Sequence, residues 1–140
     1  MRLVDLEPNF IRYKREIHRG KFVRDGADPL NYTEADLEER DHEVNLRVYV
    51  DRLEDAQGVQ FLCPVCFRDN GGPVGTHMVE VTFAGRGVAD EDGMHNDKGA
   101  PVRWQVTGSG FADLTTKPSV LLLGGCNWHG FITNGEVSII

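Results

Sequence analysis

Val44-Asn45-Leu46-Arg47-Val48-Tyr49-Val50 decides the fold class of this chain. Its valines and leucine fall on every second position, the period of a strand with one buried face. The same kind of signal recurs toward the C-terminus. Residues 59–62 read as a short strand, and residues 77–83 as a longer one. In the latter, His77, Val79, Val81 and Phe83 share one face, and Met78, Glu80 and Thr82 the other. Residues 103–106 and 119–123 add two more short strands. Residues 131–133 and 137–140 flank Asn134-Gly135, a dipeptide suited to the type I′ turn of a hairpin. Residues 85–101, rich in Gly and Asp, read as a long exposed loop.

Toward the N-terminus the pattern changes. Phe10, Tyr13 and Ile17 fall at i, i+3 and i+7, which predicts weak helix over residues 9–24. Thr33, followed by Glu34, Ala35 and Asp36, predicts a capped helix running to about Arg40. Residues 51–57 predict a helical turn closed by Gly58. The expected fold is mainly β (α+β): a small β-sheet or sandwich domain over residues 44–140, preceded by an extension, residues 1–43, with short helices.

The chain has 140 residues and a net charge of −7, unevenly placed. Residues 1–24 hold seven Arg and Lys against three acids, whereas residues 25–57 hold eleven acids against three Arg. The two segments are expected to neutralise each other across a solvated surface. The rival expectation is nucleic-acid binding through residues 12–24, with Arg12, Lys14 and Arg15 as the contacts. A net acidic domain is repelled by phosphate, which favours the first expectation. No apolar run reaches the roughly 18 residues of a membrane span, and residues 1–5 lack the apolar core of a signal peptide. Three cysteines, an odd number, argue for a reducing cytoplasm and against a disulfide framework.

All three cysteines lie in two short pairs, Cys63-Pro64-Val65-Cys66 and Cys126-Asn127-Trp128-His129. Each pair spaces its ligand-type residues so that one tight turn aims both at a single ion. Together they predict a closed Cys3His site of Cys63, Cys66, Cys126 and His129, the donor set of structural Zn2+, with iron as the second option. His77 is the alternative ligand or a donor to a cysteine sulfur, and Trp128 is expected to shield the ion. Four protein ligands leave no open position for catalysis, so a zinc-dependent hydrolase would need three ligands and a base drawn from Glu136, Glu80, Asp113 or His77. Zinc deaminase chemistry is disfavoured, because no histidine is followed two residues later by Glu. Assigning every thiol to a metal also removes a cysteine nucleophile. No catalytic residue is therefore expected.

The stretches 57–67 and 70–77, with Gly85-Arg86-Gly87-Val88, Asp113-Leu114-Thr115, Pro118-Ser119-Val120 and residues 125–131, resemble a family of small proteins of unknown function. That family is widespread in tailed bacteriophages and prophages, and some members carry an ammonia monooxygenase label. The resemblance covers about residues 53–137. It implies a phage origin and a metal site at Cys63, Cys66, Cys126 and His129, with His77 in a matching motif, and it brings no activity. The resulting expectation is a non-enzymatic zinc-binding module, in a virion or in the cytoplasm of an infected bacterium, with a virion or host protein as partner.

Overall fold

The computed structural model describes Met1–Ile140, and the chain is mainly β with antiparallel pairing. Its strands are β1 (Asn9–Val23), β2 (Leu37–Val50), β3 (Gly58–Leu62), β4 (Met78–Thr82), β5 (Gln105–Thr107), β6 (Thr115–Lys117), β7 (Val120–Leu121), β8 (His129–Gly130), β9 (Ile132–Thr133) and β10 (Glu136–Val137). One short helix, α1 (Pro64–Asn70), follows β3. A four-stranded sheet has the order β2-β1-β3-β4, and β5–β6, β7–β8 and β9–β10 form two-stranded pieces. No helix is long and apolar enough to cross a membrane.

Contacts divide the chain into two compact units, Met1–Tyr13 with Arg47–Ile140, and Lys14–Leu46. The larger unit holds the core, in which Val59 and Phe61 of β3 meet Val79 and Val81 of β4, together with Phe83, Leu114, Trp128 and Ile132. The first thirteen residues belong to this unit, although residues 1–43 were expected to form an extension. The reason is apolar burial: Leu3, Leu6, Phe10 and Ile11 are almost wholly removed from water, worth about 1.5–3 kcal/mol each. Hydrogen bonds from Leu3 N–H to Gly135 and from Val137 N–H to Met1 tie this segment to the β9–β10 hairpin.

Asn9–Val23 is strand where weak helix was expected over residues 9–24, and in the smaller unit the expected helix over residues 34–40 is a single 3-10 turn, Glu34–Asp36. The start signal at Thr33 is real: its backbone N–H donates to the Asp36 carboxylate at 3.0 Å. The chain then extends, because Leu37 begins β2. Arg15–Glu43, Arg19–Glu39 and Arg24–Asp36 pair across this unit at 3.0–3.3 Å. Exposed pairs of this kind contribute roughly 0–1 kcal/mol each.

Candidate functional site

The first pair of cysteines sits where β3 ends. Cys63 caps α1, whose first residue is Pro64, and a proline there costs no helical hydrogen bond. The Cys63 side chain makes no capping hydrogen bond, but the nearby backbone N–H groups of Cys66 and Val65 favour its thiolate. Across the sheet, Cys63 donates its own N–H to the carbonyl of His77 at 2.9 Å, which sets His77 opposite Cys63. Cys126 comes from the loop between β7 and β8. There Gly124, Gly125 and Asn127 take left-handed backbone conformations, and the Asn127 side chain accepts the Gly124 N–H at 2.9 Å. The Trp128 N–H points at the Cys126 sulfur.

These placements bring together Cys63, Cys66, His77 and Cys126, with all four donor atoms within 4.8 Å of one another. The Cys63 and Cys126 sulfurs are 3.2 Å apart, and His77 Nε2 lies 3.3 Å from the Cys126 sulfur. A tetrahedral ion with metal–sulfur bonds of ~2.3 Å and metal–nitrogen bonds of ~2.0 Å has edges of about 3.5–3.8 Å, so a small adjustment seats a metal ion. Two of the three thiols are poor acids. Burial pushes the Cys63 thiol up to about 12 and raises Cys66 as well. Burial acts the same way on Cys126, but hydrogen bonds from His77 and its other neighbours outweigh it and bring that thiol to about 7.

His129, the fourth ligand expected from the sequence, lies outside this group. Leu121 pairs with His129 across the β7–β8 hairpin. Leu122 N–H bonds Trp128, so Leu121 and His129 form a pair without mutual backbone bonds, the kind whose side chains approach closely. Ser119, two residues before Leu121, shares that face. His129 Nε2 accordingly stands 3.1 Å from Ser119 Oγ, with both residues half-buried. Trp128, expected beside the ion, has its indole in the core, edge-on to Phe61 at 5.8 Å and donating to the Ser138 carbonyl at 3.0 Å.

The expected acids are engaged elsewhere. Glu136 pairs with the N-terminal amine at 3.5 Å. Asp113 accepts the backbone N–H groups of Ser109 and Gly110 and the Ser109 hydroxyl, which hold its carboxyl below the usual range. Glu80 takes Arg47, the Tyr13 hydroxyl at 3.0 Å and Gln60 at 3.1 Å. The Tyr13 phenol is raised, first by burial. No carboxylate bonds His129, so the hydroxyl and imidazole form a pair rather than a triad.

Ser119 opens onto a cleft of about 990 Å³, also lined by Met78 and Glu80 of β4, Trp104, Leu121 and Leu123. The loop over residues 85–101 supplies His95, Asn96 and Asp97 to the same cleft. Arg103 holds that loop by donating to the carbonyls of Ala89, Asp92 and Met94. Sequence reasoning missed Ser119 as a functional residue. Its ten-residue separation from His129 follows no spacing rule, and only the hairpin register joins them.

A family model described as "Bacterial ubiquitination-like system serine protease (BubE)" matches residues 34–140. No curated protein and no solved structure matches the chain. The family match overturns the expectation of a non-enzymatic phage module, since the family is described as a protease and the match carries no link to phage or virion. The zinc-hydrolase reading loses its premise as well, because four donors already surround the candidate metal position.

Proposed function

Because the chain belongs to the bacterial ubiquitination-like system serine protease family, we propose that it is a serine protease with Ser119 as nucleophile and His129 as general base. The observation that carries this reading is the 3.1 Å approach of His129 Nε2 to Ser119 Oγ at a cleft wall. A serine hydroxyl is a weak nucleophile until a base removes its proton. In the proposed reaction Ser119 Oγ attacks the scissile carbonyl while His129 Nε2 takes the hydroxyl proton. The tetrahedral adduct collapses, the C–N bond breaks, and His129 returns the proton to the leaving amine. Water then attacks the acyl-Ser119 ester, again giving up a proton to His129, and the acid product leaves with Ser119 restored. The family description directs the search for substrates to proteins of a bacterial ubiquitination-like system.

Cys63, Cys66, His77 and Cys126 are proposed to hold one zinc ion. Three sulfurs and an imidazole nitrogen suit zinc, and backbone N–H groups near the Cys63 and Cys126 sulfurs favour their thiolate forms. With four protein donors, zinc there is structural: it cross-links the loop carrying Cys126 to β3, α1 and the start of β4. The test of the protease reading is labelling with a fluorophosphonate, which forms a covalent adduct with an activated serine. A single adduct on Ser119, absent from Ser119→Ala, is expected. Absence of labelling on folded, metal-loaded protein would overturn it.

A further inference from the structure

β4 is an outer strand of the four-stranded sheet. Its pairing with β3 alternates. His77 O receives the Cys63 N–H, and Phe83 N–H reaches Gln57 O. The odd-numbered residues from 77 to 83 therefore direct their main-chain groups toward β3, and Met78, Glu80 and Thr82 direct theirs outward. At the C-terminal end this outer edge is covered, since Thr82 O accepts the Trp104 N–H at 2.8 Å and Ala84 N–H bonds Trp104 O. Covering stops there. The N–H groups of Met78 and Glu80 and the Glu80 carbonyl have no partner, and the Met78 carbonyl meets only the His77 ring, at 3.2 Å. Open edges of this kind invite pairing with another chain, and folded proteins normally shield them. Here the unshielded part lines the same cleft as Ser119.

Resting on the protease reading above, we infer that the substrate enters this cleft as an added β-strand along the Met78–Glu80 edge. The enzyme then takes an extended polypeptide segment, a tail or linker, and not a bond within a folded surface. Main-chain bonds to the edge supply affinity regardless of sequence, and alternate substrate side chains meet the cleft walls. Those walls are largely apolar, with Met94, Val102, Trp104, Leu121 and Leu123, so the favoured segment carries aliphatic side chains at alternate positions. Leu121 and Leu123 are about half exposed or more, as expected of surfaces that a strand would cover.

Peptidyl diphenyl phosphonates test this, because the serine Oγ bonds their phosphorus, placed where the scissile carbonyl would lie, as phenol leaves. Extending acetyl-Ala phosphonate to acetyl-Ala-Leu-Ala-Leu-Ala phosphonate should raise the inactivation rate at least about tenfold, one main-chain hydrogen bond being worth up to about that factor. N-methylation of the extended probe should alternate in effect, with about tenfold loss at residues whose N–H meets the edge and little at their neighbours. Met78→Pro removes an outward N–H without removing a β3–β4 bond, a change that outer strands tolerate, and should cut the gain from extension. If extension changes the rate less than about twofold, or N-methylation acts equally at every position, strand addition is wrong even while fluorophosphonate still labels Ser119. The N-methyl series on wild-type protein decides the matter should the proline variant fail to fold. Loss of fluorophosphonate labelling on wild-type protein would instead remove the protease reading itself.

Discussion

Replacing His129 and His77 by glutamine in separate variants should divide catalysis from metal binding. His129 Nε2 lies 3.1 Å from Ser119 Oγ and is not among the clustered donors. A positioned base contributes roughly 10²–10⁴ in rate, or ~2.7–5.4 kcal/mol of barrier at 1.36 kcal/mol per tenfold. His129→Gln should therefore lose at least about 10²-fold in fluorophosphonate labelling rate. Its cost in stability should be small, because a half-buried neutral hydrogen bond is worth about 1 kcal/mol. For 140 residues, an unfolding entropy near 2.1 cal/mol/K per residue turns that into a fall of about 3–4 °C in Tm. One equivalent of metal should remain, measured by atomic absorption after dialysis. His77→Gln should behave oppositely, losing metal and much more thermal stability. Should His129→Gln lose its metal while His77→Gln keeps it, the assignment of the two histidines is inverted. A His129→Gln labelling rate within threefold of wild type would refute the role of base.

Other consequences follow from the same geometry. Metal removal by a strong chelator should slow labelling of Ser119 by up to about 10²-fold, the effect of moving a reacting group by about 1 Å, and zinc should restore it; full labelling of verified metal-free protein would contradict the cross-link. Gly130→Ala should destabilise by about 1–3 kcal/mol or more, because a methyl there overlaps the Ser138 carbonyl and the Trp128 indole nitrogen; denaturant midpoints would show it, and an unchanged midpoint would exclude that packing. Asp113 has a depressed carboxyl pKa, so its contribution is present above the unfolded value of about 3.9 and disappears as pH falls through the lower folded value. Asp113→Asn should accordingly flatten a Tm–pH profile on its acid side, below about pH 5.

The parts of the fold that were legible are those where a periodic pattern coincides with a buried face. Val79 and Val81 are buried in β4 as their alternation requires. Asn134 and Gly135 both take positive φ, 48° and 77°, in the β9–β10 turn. β1 was illegible because most of it, within Lys14–Leu46, has no buried face to impose a period of two. Phe10, Tyr13 and Ile17 then matched a helical spacing by accident. The helix α1 was hidden by its seven-residue length, although Pro64 at its start and left-handed Gly71 at its end are ordinary boundary signals. In the metal group, the cysteines were legible from local spacing. His77 was legible as the alternative ligand, but the choice of it over His129 was not, because that depends on the strand register that sets His77 opposite Cys63. The same register made Ser119 invisible as a partner of His129.

That exchange gives the proposed metal site a part in the proposed protease mechanism. Ser119 and His129 sit on the two sides of the β7–β8 hairpin, and the loop that joins them contains Cys126. The loop has three consecutive-region left-handed residues at 124, 125 and 127 and exposes Leu121 and Leu123. Such a segment buries too little apolar surface to fix its own shape. Trp128 anchors one side through Phe61 and Ser138. On the other side Val120 is buried in the core, and beyond it Cys126 is where the loop meets Cys63 and His77. A metal bond at that point, as proposed, would pin the loop between these two anchors. It would help to hold the hairpin register, and the register is what keeps Ser119 Oγ within reach of His129 Nε2. The metal group can then be structural in its chemistry and still decide whether the hydroxyl is activated.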